Sequence, residues 1–307
     1  MSKRLLSAVL LSGFLLISNS QSEEWSYSHP VTSRDAFSSA EFLLSLDPQI
    51  KSPKGVIILV GPQGVDMREE IRASPWNRIA KQQECAVLGC LFGDKEGADF
   101  SRIEQGGRAA VIAALTDLSK KSERLRDLGR LKVVLVGRLA GAQFAYEFAN
   151  RDSDRVAGFV SINPYYFNTP PSAALRKVPG FFLVAENEHP TSAANVLKIY
   201  ADQRRFGALW ARVFWTDGPK KNWDMQMVEP FVEQVLIARI KNKNPVASVV
   251  SLNLNDGWSL DLSSFNPPTI TESRNVARGL EDQYAWFCSE NLAEAIARNL
   301  SQTAAQE

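Results

Sequence analysis

Six nearly continuous apolar runs fall at intervals along the chain: Val56–Val60, Ala86–Phe92, Leu131–Val136, Val156–Ile162, Phe181–Ala185 and Leu209–Trp215. A strand with one face in water alternates apolar and polar residues, whereas a strand covered on both faces does not. Between these runs lie stretches of helical character. They cover Met67–Lys81, Arg102–Leu118, the residues from Gly137 to Asn150, and a segment carrying Ala193, Val196, Leu197 and Tyr200 on one face. A last helix is expected to start at Pro230 and bury Phe231, Val232, Val235 and Leu236. Buried strands alternating with helices require right-handed crossovers, so the fold class is α/β, a mostly parallel central sheet with helices on both faces. With 307 residues, 45% of them hydrophobic, the chain can bury such a core.

The two ends read differently from this middle. Lys3 and Arg4 precede a 13-residue apolar stretch, Leu5–Ile17, and Ser18-Asn19-Ser20 has the small residues of a cleavage site. The stretch is shorter than the roughly 20 residues that span a bilayer, so residues 1–20 read as a signal peptide, with a retained short anchor as the alternative. Residues 21–50 form an N-terminal segment, either an ordered edge or a loose tail up to Asp35, with a first strand at Phe42–Leu46. The α/β domain occupies 51–245. Residues 246–307 are a less regular extension, with a helix at Ala293–Leu300, expected to pack on that domain.

Removing Lys3 and Arg4 takes the formal charge from +1 to −1, because 33 basic residues then face 34 acidic ones. A near-neutral surface gives no electrostatic case for nucleic acid or anionic membrane. The expected partner is a small molecule or a protein, with no membrane span once the leader is gone. Cys85 and Cys90 share one apolar run. Five residues of strand hold their Cα atoms about 16 Å apart, beyond the roughly 7 Å limit for a disulfide. Pairing of either with Cys288 would need a tertiary coincidence, and three buried thiols is the simpler expectation. No Cys/His spacing suggests zinc, and no cofactor is expected.

The sharpest local signal is VVLVGRLAGAQFAYEFA, Val133–Ala149, where a buried strand runs through Gly137-Arg138-Leu139-Ala140-Gly141 directly into a helix. That is the strand–turn–helix context of the G-x-S-x-G nucleophile elbow, with leucine at the serine position. The segment resembles the G-H-S-x-G-G-Q-F stretch of α/β hydrolases related to secreted esterases and polyester depolymerases. Arg138 stands for the histidine and Ala142 for the second glycine. Arg155–Val160 and the loop Ile162-Asn163-Pro164-Tyr165-Tyr166 resemble the segments that follow the elbow in that group. The resemblance implies an α/β-hydrolase-like fold over roughly Val56–Ile240. It also implies a triad order of nucleophile, acid, base. On that order the nucleophile position is Leu139, the acid position is Glu188 after Phe181–Ala185, and the base position is Lys221, or Asn222 one residue on. Leucine has no nucleophilic atom. A lysine at its ordinary pKa of about 10.4 is protonated at neutral pH and is a poor general base. The oxyanion loop carries Pro62 after Gly61, and proline has no N–H to donate. The expectation is therefore a pseudoenzyme with no catalytic residues, the vestigial elbow held by Gly137 and Gly141.

Simpler readings stand beside these. Glycines recur at strand–helix junctions for packing alone, and Glu188 by itself reads as a solvated turn carboxylate. The rival enzymatic reading is an ester hydrolase with a relocated centre, built from His189 and a loop serine such as Ser192. Only two histidines exist, and the other, His29, lies in the N-terminal polar segment. Trp215 and Trp223 flank the base loop, as a sugar platform or as core aromatics.

Overall fold

The computed structural model describes residues 22–185, 190–215, 223–240, 249–263 and 268–304. The signal-peptide reading for residues 1–20 therefore lies outside the described residues.

An eight-stranded sheet organises the chain. Its strands are β1 (Glu23–Ser28), β2 (Ala40–Leu46), β3 (Gly55–Val60), β4 (Ala86–Phe92), β5 (Lys132–Arg138), β6 (Val156–Ile162), β7 (Gly180–Ala185) and β8 (Trp210–Trp215), in the spatial order β1-β2-β4-β3-β5-β6-β7-β8. β2 runs antiparallel to both β1 and β4, and every other neighbouring pair is parallel. The apolar runs are explained by what lies on each face. β3 sends Val56, Ile58 and Val60 into one core and Ile57 and Leu59 into the other. The first core is closed by α2 (Gly107–Leu118), α3 (Ala140–Arg151) and α4 (Pro190–Arg205), and the second by α1 (Ser74–Gln82) and α5 (Trp223–Arg239). Residues 23–28, left open between edge and tail, form a regular edge strand.

The C-terminal residues are more structured than their sequence suggests. β9 (Trp258–Asp261), β10 (Ile270–Glu272) and β11 (Tyr284–Phe287) make a small antiparallel sheet in the order β10-β9-β11, and α6 (Glu290–Ala304) follows. Leu260, Phe287, Leu292 and Ile296 share the core that α5 closes. Among the described residues no helix is long and apolar enough to cross a membrane.

Three helix boundaries differ from expectation, each for a local reason. The segment expected as one helix over Met67–Lys81 is a short 3-10 turn at Glu70–Arg72 followed by α1, with Pro75 in the first turn, where its missing N–H costs nothing. The helix expected from Arg102 starts at Gly107, because Gly106 breaks the chain with φ 96°. The third case is α5, which starts at Trp223 and carries Pro230 inside it rather than at its head. An interior proline leaves the carbonyl four residues earlier without its amide partner. Here that carbonyl belongs to Gln226, and Asn299 of α6 donates its side-chain N–H to it at 2.9 Å. The C-terminal helix thus supplies the bond that Pro230 cannot. Asn299→Ala is expected to cost about 0.5–1 kcal/mol. In a Pro230→Ala background, where the restored amide takes over, most of that cost should vanish, and a double-mutant cycle by urea denaturation measures the coupling.

None of the three cysteines is disulfide-bonded. Cys85 and Cys90 are buried, and burial raises both thiols, Cys85 to about 12. Cys288, expected to be buried, is only half-buried because it lies at the surface junction between β11 and α6.

Candidate functional site

The C-terminal end of β5 passes into α3 with no intervening loop, and Leu139 is the single residue at the turn. Its φ of 52° and ψ of −116° match the first central position of a type II′ turn, which glycine normally fills. The surroundings enforce this conformation. The Leu139 amide donates to Ile162 O at 2.9 Å, and Leu139 O accepts from the amides of Ala142 and Gln143. Ser161 on β6 adds a hydrogen bond from its hydroxyl to Ala142 O at 3.1 Å. Turn and helix are therefore pinned to the neighbouring strand.

The two glycines make the approach sterically feasible. A Cβ on Gly137 would lie 1.9 Å from Gly141 O, and one on Gly141 would lie 2.1 Å from Val60 O. Strand, turn and helix meet backbone to backbone, and only hydrogen fits at either position. Leu139 itself is half-buried. Because a side chain at φ 52° is strained, Leu139→Gly should be more stable than Leu139→Ala by about 1 kcal/mol. That reverses the usual ranking of the two residues within regular structure. Urea melts of both variants decide it, and equal stabilities would mean that the turn is relaxed.

The loops around the turn are tied down by polar contacts. In the loop after β3, which contains Pro62, the amides of Gly64 and Met67 donate to Phe92 O and Cys90 O, and that of Val65 to Pro62 O. Ala140, next after Leu139, holds the first amide of α3, which has no acceptor within its own helix. Gln143 reaches the buried Ser101 hydroxyl at 3.0 Å. Beyond β6, Asn163 also has φ 52°. Its amide donates to Leu183 O, and its side-chain oxygen accepts from the Ala185 amide at 2.8 Å, so it staples the ends of β6 and β7 together. Tyr166 donates its hydroxyl to the Asp99 carboxylate. That bond joins the loop after β6 to the loop after β4, across the ends of β3 and β5 that lie between them.

Glu147, buried on α3, is a residue the sequence reading overlooked. It accepts from the amides of Asn168 at 2.6 Å and Thr169 at 3.0 Å, and from the Thr169 hydroxyl. Burial lifts its carboxyl above the ordinary range despite those donors. The signal for it was a lone acid in a helix whose other positions from Gly141 to Ala149 are all buried too.

Of the positions singled out in the sequence, the structure brings Gly137, Leu139 and Gly141 together at one turn with the start of the Pro62 loop. The acid position Glu188, the base position Lys221 with its alternative Asn222, and His189 lie outside the described residues. Trp215 ends β8 and Trp223 begins α5. Ser192 lies in the first turn of α4, 2% exposed, with no hydrogen-bond partner for its hydroxyl among the described residues. Among those residues, no group of three or more His, Cys, Asp or Glu side chains is arranged to hold a metal ion.

No family model matches the chain, and no curated protein sequence does. Solved structures match it in fold. A ferulic acid esterase superposes with a TM-score of 0.52 at 13% identity, over 71% of this chain and 99% of its own. A thermostable esterase does so with a TM-score of 0.50 at 12% identity, over 75% of this chain and 63% of its own. With the mostly parallel eight-stranded sheet, these likenesses establish an α/β-hydrolase-like fold.

Proposed function

We propose that this is an exported protein of α/β-hydrolase fold that has lost serine-hydrolase chemistry and uses the old pocket to bind a small molecule or a protein. One observation carries the reading. The turn that would present a nucleophile holds Leu139 in the strained conformation, φ 52° and ψ −116°. Acyl transfer in such a fold needs a nucleophilic atom there, a base to take its proton, and two amides to hold the oxyanion. Leucine supplies no such atom. The sequence places Lys221 at the base position, and lysine is a poor general base at neutral pH. Pro62 removes one candidate oxyanion donor. Nucleophile position, base position and oxyanion loop are independent features, and each favours loss of serine-hydrolase chemistry, while the leader favours export.

The test is turnover of short-chain p-nitrophenyl esters by the native protein. Hydrolysis no faster than that of an equal concentration of albumin is expected. Saturable turnover abolished by His189→Ala or Ser192→Ala would replace it with the relocated-centre reading. Export is tested separately. The mature chain should begin near Gln21 by mass spectrometry, and an intact Met1 or Ser2 terminus in the cytosolic fraction would contradict it.

A further inference from the structure

β1 is the terminal strand of the eight-stranded sheet and, among the described residues, pairs only with β2. Its register fixes which of its backbone groups face outward. Ser28 lies opposite Glu41, so His29 falls opposite Ala40, and the His29 amide indeed donates to Ala40 O at 2.8 Å. Antiparallel strands alternate bonded and non-bonded positions. The odd-numbered residues therefore bond β2, while Glu24, Ser26 and Ser28 turn their amides and carbonyls away from it.

An exposed edge of this kind is usually protected by lysine, proline, a bulge or brevity. β1 has six residues, no lysine, no proline and an unbroken register. Its two carboxylates are already neutralised within the chain, Glu23 by Arg124 at 2.6 Å and Glu24 by Arg72 at 2.8 Å. The opposite edge differs, because β8 has β11 against it.

From this we infer that β1 is a docking edge for a second copy of the same chain, joined antiparallel through a two-fold axis perpendicular to the sheet at Ser26. Such an axis keeps the faces of the two sheets aligned and pairs only residues of the same face. Ser26 then meets the partner's Ser26, and Glu24 the partner's Ser28. All three outward-facing residues pair with outward-facing residues, giving about six new backbone hydrogen bonds. Trp25 falls opposite the partner's Tyr27, and Tyr27 opposite the partner's Trp25. These are non-bonded positions, where side chains approach most closely and aromatic pairs stabilise best. Both rings are half-buried against the first core, so little side-chain freedom remains to be lost. Glu23 falls opposite the partner's His29, and no glutamate faces another. The result is one continuous sheet across two subunits.

The experiment is sedimentation velocity of the native protein and of Ser26→Pro, over roughly 1 to 100 µM. Proline at 26 removes an amide that β2 does not use and is tolerated on an edge strand. Native dimer and folded monomeric Ser26→Pro are expected, with fold checked by circular dichroism. A native protein that stays monomeric throughout, or a folded Ser26→Pro that still dimerises, overturns the inference. Hydrogen exchange on the native protein decides the matter even if the variant does not fold. The amides of Glu24, Ser26 and Ser28 should become protected as concentration rises, and fast exchange at every concentration rejects this edge as the interface.

Discussion

Gly141→Ala is expected to cost at least about 3 kcal/mol or to prevent folding. The added methyl would sit 2.1 Å from Val60 O and 2.6 Å from Gly61 O, both backbone atoms at the end of a central strand. A flexible side chain could rotate away, but these atoms cannot. Relief would require α3 to lift from β3, breaking the Leu139–Ile162 and Ser161–Ala142 hydrogen bonds that pin the turn. Gly129→Ala is the matched control. Its nearest neighbour would be 3.5 Å away, in ordinary contact, so its effect should stay within about 0.5 kcal/mol. Guanidinium melts of both variants check the contrast. A mild effect at Gly141 would mean that strand and helix are not packed backbone to backbone.

The second expected result concerns chemistry. Leu139→Ser alone should give no p-nitrophenyl acetate turnover above the parent protein. A serine hydroxyl at neutral pH is a weak nucleophile until a neighbouring base takes its proton, and loss of a triad member typically costs several orders of magnitude in kcat. On the proposed assignment of Lys221 to the base position and of Pro62 to the oxyanion loop, the single change repairs one deficit of three. Leu139→Ser combined with Lys221→His should give a measurable trace, so the four proteins of this cycle should show strong non-additivity. Robust turnover by the single Leu139→Ser variant would mean that a working base and oxyanion site exist elsewhere in the chain.

The sheet was legible in the sequence because burial on both faces leaves runs such as Val56–Val60 with no polar interruption, and β6 emerges with the boundaries expected for it. The tight strand–turn–helix junction was legible too, since Gly137 and Gly141 are demanded by local backbone contacts. What stayed hidden depends on partners remote in sequence. Pro230 reads as a helix start until Asn299, 73 residues beyond Gln226, supplies the missing donor. The Tyr166–Asp99 bond spans 67 residues, and neither side chain carries a local pattern. The C-terminal strands escaped for another reason. β10 is three half-buried residues long, too short for alternation to register.

Active-site labelling reports directly on whether the turn at Leu139 leaves the protein without a nucleophile to present. The native protein is incubated with a fluorophosphonate probe, and its intact mass is read before and after. An unchanged mass is the predicted result. Stoichiometric addition of one probe to a serine, lost in His189→Ala, would contradict it and establish a working hydrolase centre away from the elbow.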